Sequence, residues 1–171
     1  ASDVYKRQVI TYNYDNEHIT PYSFDVELDD NRMKAEYALS HQSAIYRITY
    51  EADKPAYLIV NSRNGSIHAN ENFISGRQQL NDNTNVYVYI EAQEKPISAG
   101  ILENGTIETS KDNAEGANAC AAWRFADGTT TVNLRYGISF ISEEQAEKNL
   151  HRELKDYNIK APVSYTHLRA H

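Results

Sequence analysis

Most of this chain is a succession of short runs in which apolar and polar residues alternate, each closed by turn residues. Alternation with period two puts one side of a run in a core and the other in water, so each run reads as a half-buried strand. Tyr22, Phe24, Val26 and Leu28 alternate with Ser23, Asp25 and Glu27. Asp29-Asp30-Asn31 then reads as a turn, and Met33, Ala35, Tyr37 and Leu39 alternate on the return, which predicts a hairpin. Ala44 to Tyr50 and Tyr57 to Val60 follow. Asn64-Gly65 accepts positive φ at both positions and predicts a second hairpin, from the Val60 strand into Ser66 to Ala69. Val86 to Ile90 is the most β-prone run. Asn104-Gly105 turns Gly100-Ile101-Leu102 into Thr106-Ile107-Glu108, and Asp127-Gly128 joins Ala122 to Phe125 with Thr131 to Tyr136. The polar stretch Ser110 to Asn118 is expected to be a loop. Many short strands with closely spaced turn signals predict an all-β fold, an antiparallel β-sandwich.

The pattern changes after Ile141. Ser142-Glu143-Glu144-Gln145 has the form of a capping box, in which the Ser hydroxyl takes an orphan amide and Gln145 reaches back. Ala146, Leu150 and Leu154 make one helical stripe, and the helix is expected to run to Asp156 or Tyr157. One helix behind an all-β domain suggests a connector into a further domain.

The two ends have a different character. Asp3 to Gln8 and Val163 to Leu168 can be back-translated so that the second opens as the reverse complement of the first, as the two arms of a sequencing adapter would. Residues 1–8 and 163–171 are therefore set aside as adapter-derived. That leaves a partial sandwich over 9–141 and a linker helix over 142–162. The ends hold Asp3 against Lys6, Arg7 and Arg169, a net +2, so the formal charge of −7 becomes −9 without them. Acid excess with scattered bases argues against nucleic-acid binding, which needs clustered Lys and Arg. No apolar run approaches membrane-spanning length.

Candidate chemistry is sparse. The single cysteine, Cys120, excludes an internal disulfide and a cysteine-based metal cluster, and its small apolar neighbours suit a buried structural thiol. Asp29-Asp30 and Glu143-Glu144 are adjacent acids, but the first suits a turn and the second a helix first turn. Asp15-Asn16-Glu17-His18 offers ligand atoms without the glycine and terminal Glu of a calcium loop. His41, His68 and His151 have no companion at zinc spacing. There is no nucleophile elbow, P-loop or dinucleotide fingerprint. Tyr46, Tyr50, Tyr57, Tyr87, Tyr89 and Trp123 could stack on sugars, but strand and core packing is the plainer reading.

Three segments carry a resemblance. Asp15 to Asp30 is similar to a run of His, acids, Pro and aromatics leading into a Val-x-Leu strand and an acidic turn. Ile45-Tyr46-Arg47-Ile48-Thr49-Tyr50, after Met33-Lys34-Ala35-Glu36, is similar to a strand pair ending in a hydrophobe-Tyr-Arg-Phe-Thr-like run. Gly137 to Leu150 is similar to a junction where a last sandwich strand enters a linking helix. Together they resemble glycoside hydrolase family 92, the calcium-dependent exo-acting α-mannosidases. The chain departs from the family pattern at Tyr14, His18 and Tyr22, which stand where the family has His, a second acid and, in many members, Gly.

The resemblance implies a galactose-mutarotase-like supersandwich followed by an α-helical barrel. It implies that the acid, base and Ca2+ ligands of an inverting α-mannosidase lie on that barrel, with the sandwich packing against it and helping to form the sugar pocket. No catalytic, cofactor-binding or metal residue is therefore assigned to this chain. The expected partners are the chain's own helical-barrel domain and a mannose-containing glycan, in a periplasmic or cell-surface setting. The alternative is a self-contained carbohydrate-binding or adhesive sandwich without catalysis, and a weaker third is a sugar epimerase on the same type of sandwich.

Overall fold

The computed structural model describes the backbone of residues 4–15, 18–29, 32–39, 42–53, 55–80, 84–159 and 164–166, and the side chains of those between 42 and 159. In chain order the strands are β1 (Val4–Asp15), β2 (His18–Asp29), β3 (Arg32–Leu39), β4 (Ser43–Tyr50), β5 (Tyr57–Ala69), β6 (Ile74–Gln79) and β7 (Asn85–Ala92). They continue as β8 (Ser98–Glu103), β9 (Thr106–Glu108), β10 (Asn113–Arg124) and β11 (Thr131–Ser139), then helix α1 (Glu143–Glu153) and the short β12 (Ser164–Thr166). The fold is all-β and antiparallel with one helix, as the alternation predicts.

The strands follow one hydrogen-bonded path, β12-β3-β4-β11-β7-β6-β5-β10-β8-β9, with β2 joining β5 and β1 joining β2. The path doubles back in the β5/β10 ribbon. Residues 58–61 of β5 pair with β2, whereas 65–69 pair with β6. β10 follows β5 through this change of neighbour. Ile101 pairs with Ala121 of β10, and its amide donates to the carbonyl of Lys111 at 3.2 Å, so the connection that leads into β10 also lies along β8. A sandwich turns its corners with strands that switch layers at such bends.

The corner is Asn64-Gly65, and the predicted hairpin there does not form: β5 continues through it without reversing. Asn64 takes φ 50 and, across the ribbon, Gly116 takes φ 142. Neither edge of β5 is free to let the chain reverse, since β10 holds one and β2 and β6 hold the other. The predicted hairpin at Asp29 is also absent. Both strands exist, but β2 pairs with β1 and β5 while β3 pairs with β4 and β12. Asp30 and Asn31 lie outside the described residues. Asp127-Gly128 does join its two strands, but they do not pair with each other: β10 lies on β5 and β8, and β11 on β4 and β7. The expected Ser110 to Asn118 loop is largely strand, because Asn113–Gly116 pair with 65–68 of β5. These residues are mostly exposed, so they lack the alternation that marks a strand in sequence. By contrast, Asn104-Gly105 makes the expected hairpin between β8 and β9, with φ 51 and 76.

The main core cluster holds Trp123, Phe125, Tyr50, Leu58, Ile67, Ile74 and Val132, and a smaller one of Tyr89, Ala146 and Leu150 lies under the helix. Trp123 is opposite Leu58 on the ribbon, and its indole Nε1 donates to the carbonyl of Asn70 beyond the far end of β5, at 2.7 Å. A buried indole N–H left without an acceptor would be costly, so this bond fixes how the ribbon ends sit over one another. Tyr50 is likewise buried and donates its hydroxyl to the Tyr57 carbonyl at 2.9 Å.

Helix α1 lies on β11 and β7. Ser142 caps it, accepting from the Gln145 amide at 3.0 Å. The second half of the expected capping box does not form: Gln145 instead donates forward to Asn149 Oδ1 at 2.9 Å. Asn149 is buried and has a stronger claim, since its own amide donates to the Ile138 carbonyl at 2.8 Å. The helix also stops at Glu153, short of Asp156, with Leu154 extended at the C-cap. Ala146 and Leu150 are fully buried as the stripe predicts. The helix can come this close because Gly137 lies beneath it. A Cβ there would sit 2.2 Å from the Ala146 carbonyl oxygen.

Candidate functional site

Helix α1 covers the outer side of β11 and β7 and stops short of β5 and β10. The uncovered step is an open groove of about 680 Å³. Ser66 and His68 of β5, Ser75 of β6 and Asn113 and Glu115 of β10 line it, with Phe73 and Glu143 at the helix side. Alternation along β5 makes the polar lining: Ile67 and Ala69 point into the core, so Ser66 and His68 face outward.

The groove is internally braced. His68 Nδ1 lies 2.9 Å from Asn113 Oδ1, and its Nε2 lies 3.3 Å from Asn70 Nδ2. Ser75 Oγ donates to Glu143 Oε2 at 3.1 Å, tying the first turn of α1 to β6. The Phe73 ring stacks on Tyr89 at 4.9 Å and meets His68 at a tilt, 5.3 Å away. Two carboxylates and no Lys or Arg line the groove. Its chemistry suits hydrogen-bond donors such as sugar hydroxyls, held by hydroxyl, amide and carboxylate acceptors.

A second polar cluster lies under the other end of α1. Glu91 of β7 is directly opposite Arg135 of β11, and their side chains meet at 3.0 Å. His151 of the helix adds a contact of 3.0 Å to the same carboxylate. Tyr89 packs against this cluster. Burial, then the nearby Glu147 and Glu91 carboxylates, push its hydroxyl far above the ordinary tyrosine range. Burial also raises Tyr157, against the opposing pull of Arg135. Neither tyrosine is poised to give up a proton near neutrality, so neither suits a general base.

The structure separates the candidates that the sequence singles out. Glu143 reaches the groove, while Glu144 is exposed on the next position. His68 and His151 belong to the two different clusters. His41, Asn16 and Glu17 lie outside the described residues, and Asp15 and His18 are Cα partners across β1 and β2. Cys120 is half-buried rather than buried, with its Sγ 3.5 Å from Asn61 Oδ1. Trp123 and Tyr50 are core residues. Tyr46 stacks on Tyr136, and Tyr57 lies under the Arg124 guanidinium. Tyr87 and Tyr89 pack with α1. None of these rings stands as an open sugar platform. Asn113, Glu115 and Phe73 are not legible as site residues, because strand pairing sets Asn113 opposite His68 and Glu115 opposite Ser66, and the β5–β6 connection brings Phe73 against His68.

The profile of the glycosyl hydrolase family 92 N-terminal domain matches residues 2–139. The chain belongs to this family. Among solved structures, the family 92 domain is similar to an inverting mannosidase of Bacteroides thetaiotaomicron VPI-5482, at 19% identity and a TM-score of 0.64. That match covers 90% of this chain and 23% of the other. It is also similar to a family 92 α-mannosidase of Bacteroides thetaiotaomicron, at 18% identity and a TM-score of 0.57, covering 82% of this chain and 22% of the other. At such identity these likenesses establish the fold of the family 92 domain. The chain thus spans less than a quarter of the length of those mannosidases. No curated protein matches it.

Proposed function

We propose that this chain is a piece of an exo-acting, inverting α-mannosidase acting on mannose-containing glycans. In this reading the sandwich packs against a following helical-barrel domain, and the polar groove beside α1 helps to wall the sugar pocket. The family match over residues 2–139 carries the proposal. The small share of each solved mannosidase that the chain covers supports it.

Inversion needs an acid and a water-activating base on opposite faces of the sugar. The following domain would supply both. Calcium belongs to that domain as well. Among the described residues no three His, Cys, Asp or Glu side chains gather to hold an ion. Clefts concentrate at domain interfaces, which suits a pocket finished by the sandwich rather than built by it. A periplasmic or cell-surface location accompanies this reading. Among the described residues no helix is long and apolar enough to cross a membrane.

The test is to read the source locus onward from Ala161 and assay both products on a chromogenic α-mannoside. The expected result is a frame continuing into a helical domain with paired carboxylates, hydrolysis by the extended protein, and none by this chain alone. A stop codon soon after α1, with glycan binding by this chain alone, would replace the proposal with the self-contained binding module.

A further inference from the structure

One side chain reaches the segment after α1 at three residues, Leu154, Asp156 and Tyr157. Arg135 sits in the middle of β11, and its side chain is only 15% exposed. A guanidinium that deep must satisfy its donors on protein, since desolvation otherwise outweighs any gain from its charge. Glu91 takes the Nε donor at 3.1 Å and lies 3.0 Å from Nη2. The other arm points away from the sheet. Nη1 lies 3.5 Å from the Leu154 carbonyl and 3.3 Å from that of Asp156. The ring of Tyr157 closes over the group, 4.4 Å from the guanidinium carbon.

These contacts fall where the helix has ended: Leu154 is extended at the C-cap and the chain bends over 155–157. A helix C-terminus leaves carbonyls without partners, and the usual remedy is a glycine in the left-handed region. No glycine occurs between Gly137 and the end of the chain. Lys155 Nζ meets the His151 carbonyl at 2.6 Å, and Arg135 supplies donors to the Leu154 and Asp156 carbonyls at and beyond the cap.

We propose that Arg135 is a strap, fixed to the sheet by Glu91, that holds Leu154–Tyr157 in one direction as the chain leaves α1. The planar guanidinium serves because it can bind a carboxylate on one edge, two carbonyls on another and a ring on its face at once. A lysine would keep the charge near Glu91 but could not span the same set. The strap sets the heading of whatever follows Asn158. Its bearing on a following domain rests on the proposed function, whereas its existence does not.

The experiment uses the chain as it stands. Lys155 lies inside the strapped segment, so tryptic cleavage at Lys155-Asp156 reports its opening. Cleavage at the exposed Lys111-Asp112 bond, far from the strap, is the internal control. Arg135→Lys is expected to raise cleavage at Lys155 about tenfold while leaving Lys111 and the melting temperature near wild type. Tyr157→Leu is expected to raise it less, and Arg135→Ala at least as much with some loss of melting temperature. Unchanged cleavage at Lys155 in Arg135→Lys and Tyr157→Leu would overturn the proposal. So would equal acceleration at Lys155 and Lys111, which would mean only general loosening. Should Arg135→Ala fail to fold, the other two variants decide. Neither result depends on mannosidase activity.

Discussion

Asn64-Gly65 and Asn104-Gly105 are the same dipeptide in two surroundings, and the chain does two different things with them. At Asn104 the backbone takes φ 51 and Gly105 follows at φ 76, so the chain reverses between β8 and β9. At Asn64 the first residue again takes a positive φ, 50, but Gly65 does not follow, and the strand continues around a corner. A Cβ on Gly105 would meet nothing within 4 Å, whereas one on Gly65 would lie 1.8 Å from the Arg77 carbonyl oxygen. One glycine is chosen for its dihedral angles and the other for its lack of a side chain. Local turn preference therefore holds only where no neighbour claims the flanking strands.

The comparison can be broken most directly at Gly65. Gly65→Ala is expected to cost about 3 kcal/mol or more, because the atom in the way is backbone inside a paired strand. The midpoint of urea unfolding would measure it. A cost no greater than that of the hairpin variant would mean that the corner is not defined by this close approach. Gly105→Ala should cost about 1–2 kcal/mol, the penalty for an L-residue in the left-handed region with no clash added. Ser62→Ala probes the corner from its other side, since Ser62 Oγ donates to the same Arg77 carbonyl at 2.5 Å. A loss of about 1 kcal/mol is expected for that bond, read from the same urea midpoint. The smallest effect is the most discriminating. Asn64→Gly and Asn104→Gly should each stay within about 0.5 kcal/mol of wild type, because glycine accepts the same φ at both sites. A large loss at Asn64 alone, seen in the same unfolding assay, would show that its side chain and not its φ shapes the corner.

The sequence resolved what local chemistry decides and missed what strand pairing decides. The all-β class, the β7 run, the Asn104 hairpin and the Ser142 cap each rest on a few adjacent residues, and each is present. The hairpins expected at Asp29 and Asn64 depended on which strands would be neighbours, which turn residues do not encode. β6 carries Ser75-Gly76-Arg77-Gln78-Gln79 after a single Ile, so alternation could not reveal it, although it is central in the sheet path. The candidate groove shares this limit. Its residues come from three strands, the β5–β6 connection and the helix, and only His68 and Glu143 stand out in the sequence. That no catalytic or metal residue is assigned rests on what the family resemblance implies about a further domain, not on any pattern in these residues.

Trp123 is the only tryptophan in the chain, and it is wholly buried with its N–H fixed to the Asn70 carbonyl. The domain thus carries its own optical reporter. Its emission should be blue-shifted in the folded state and move to the red when the ribbon ends separate. The fate of either corner or hairpin variant can then be followed by intrinsic fluorescence, with no label added to the chain.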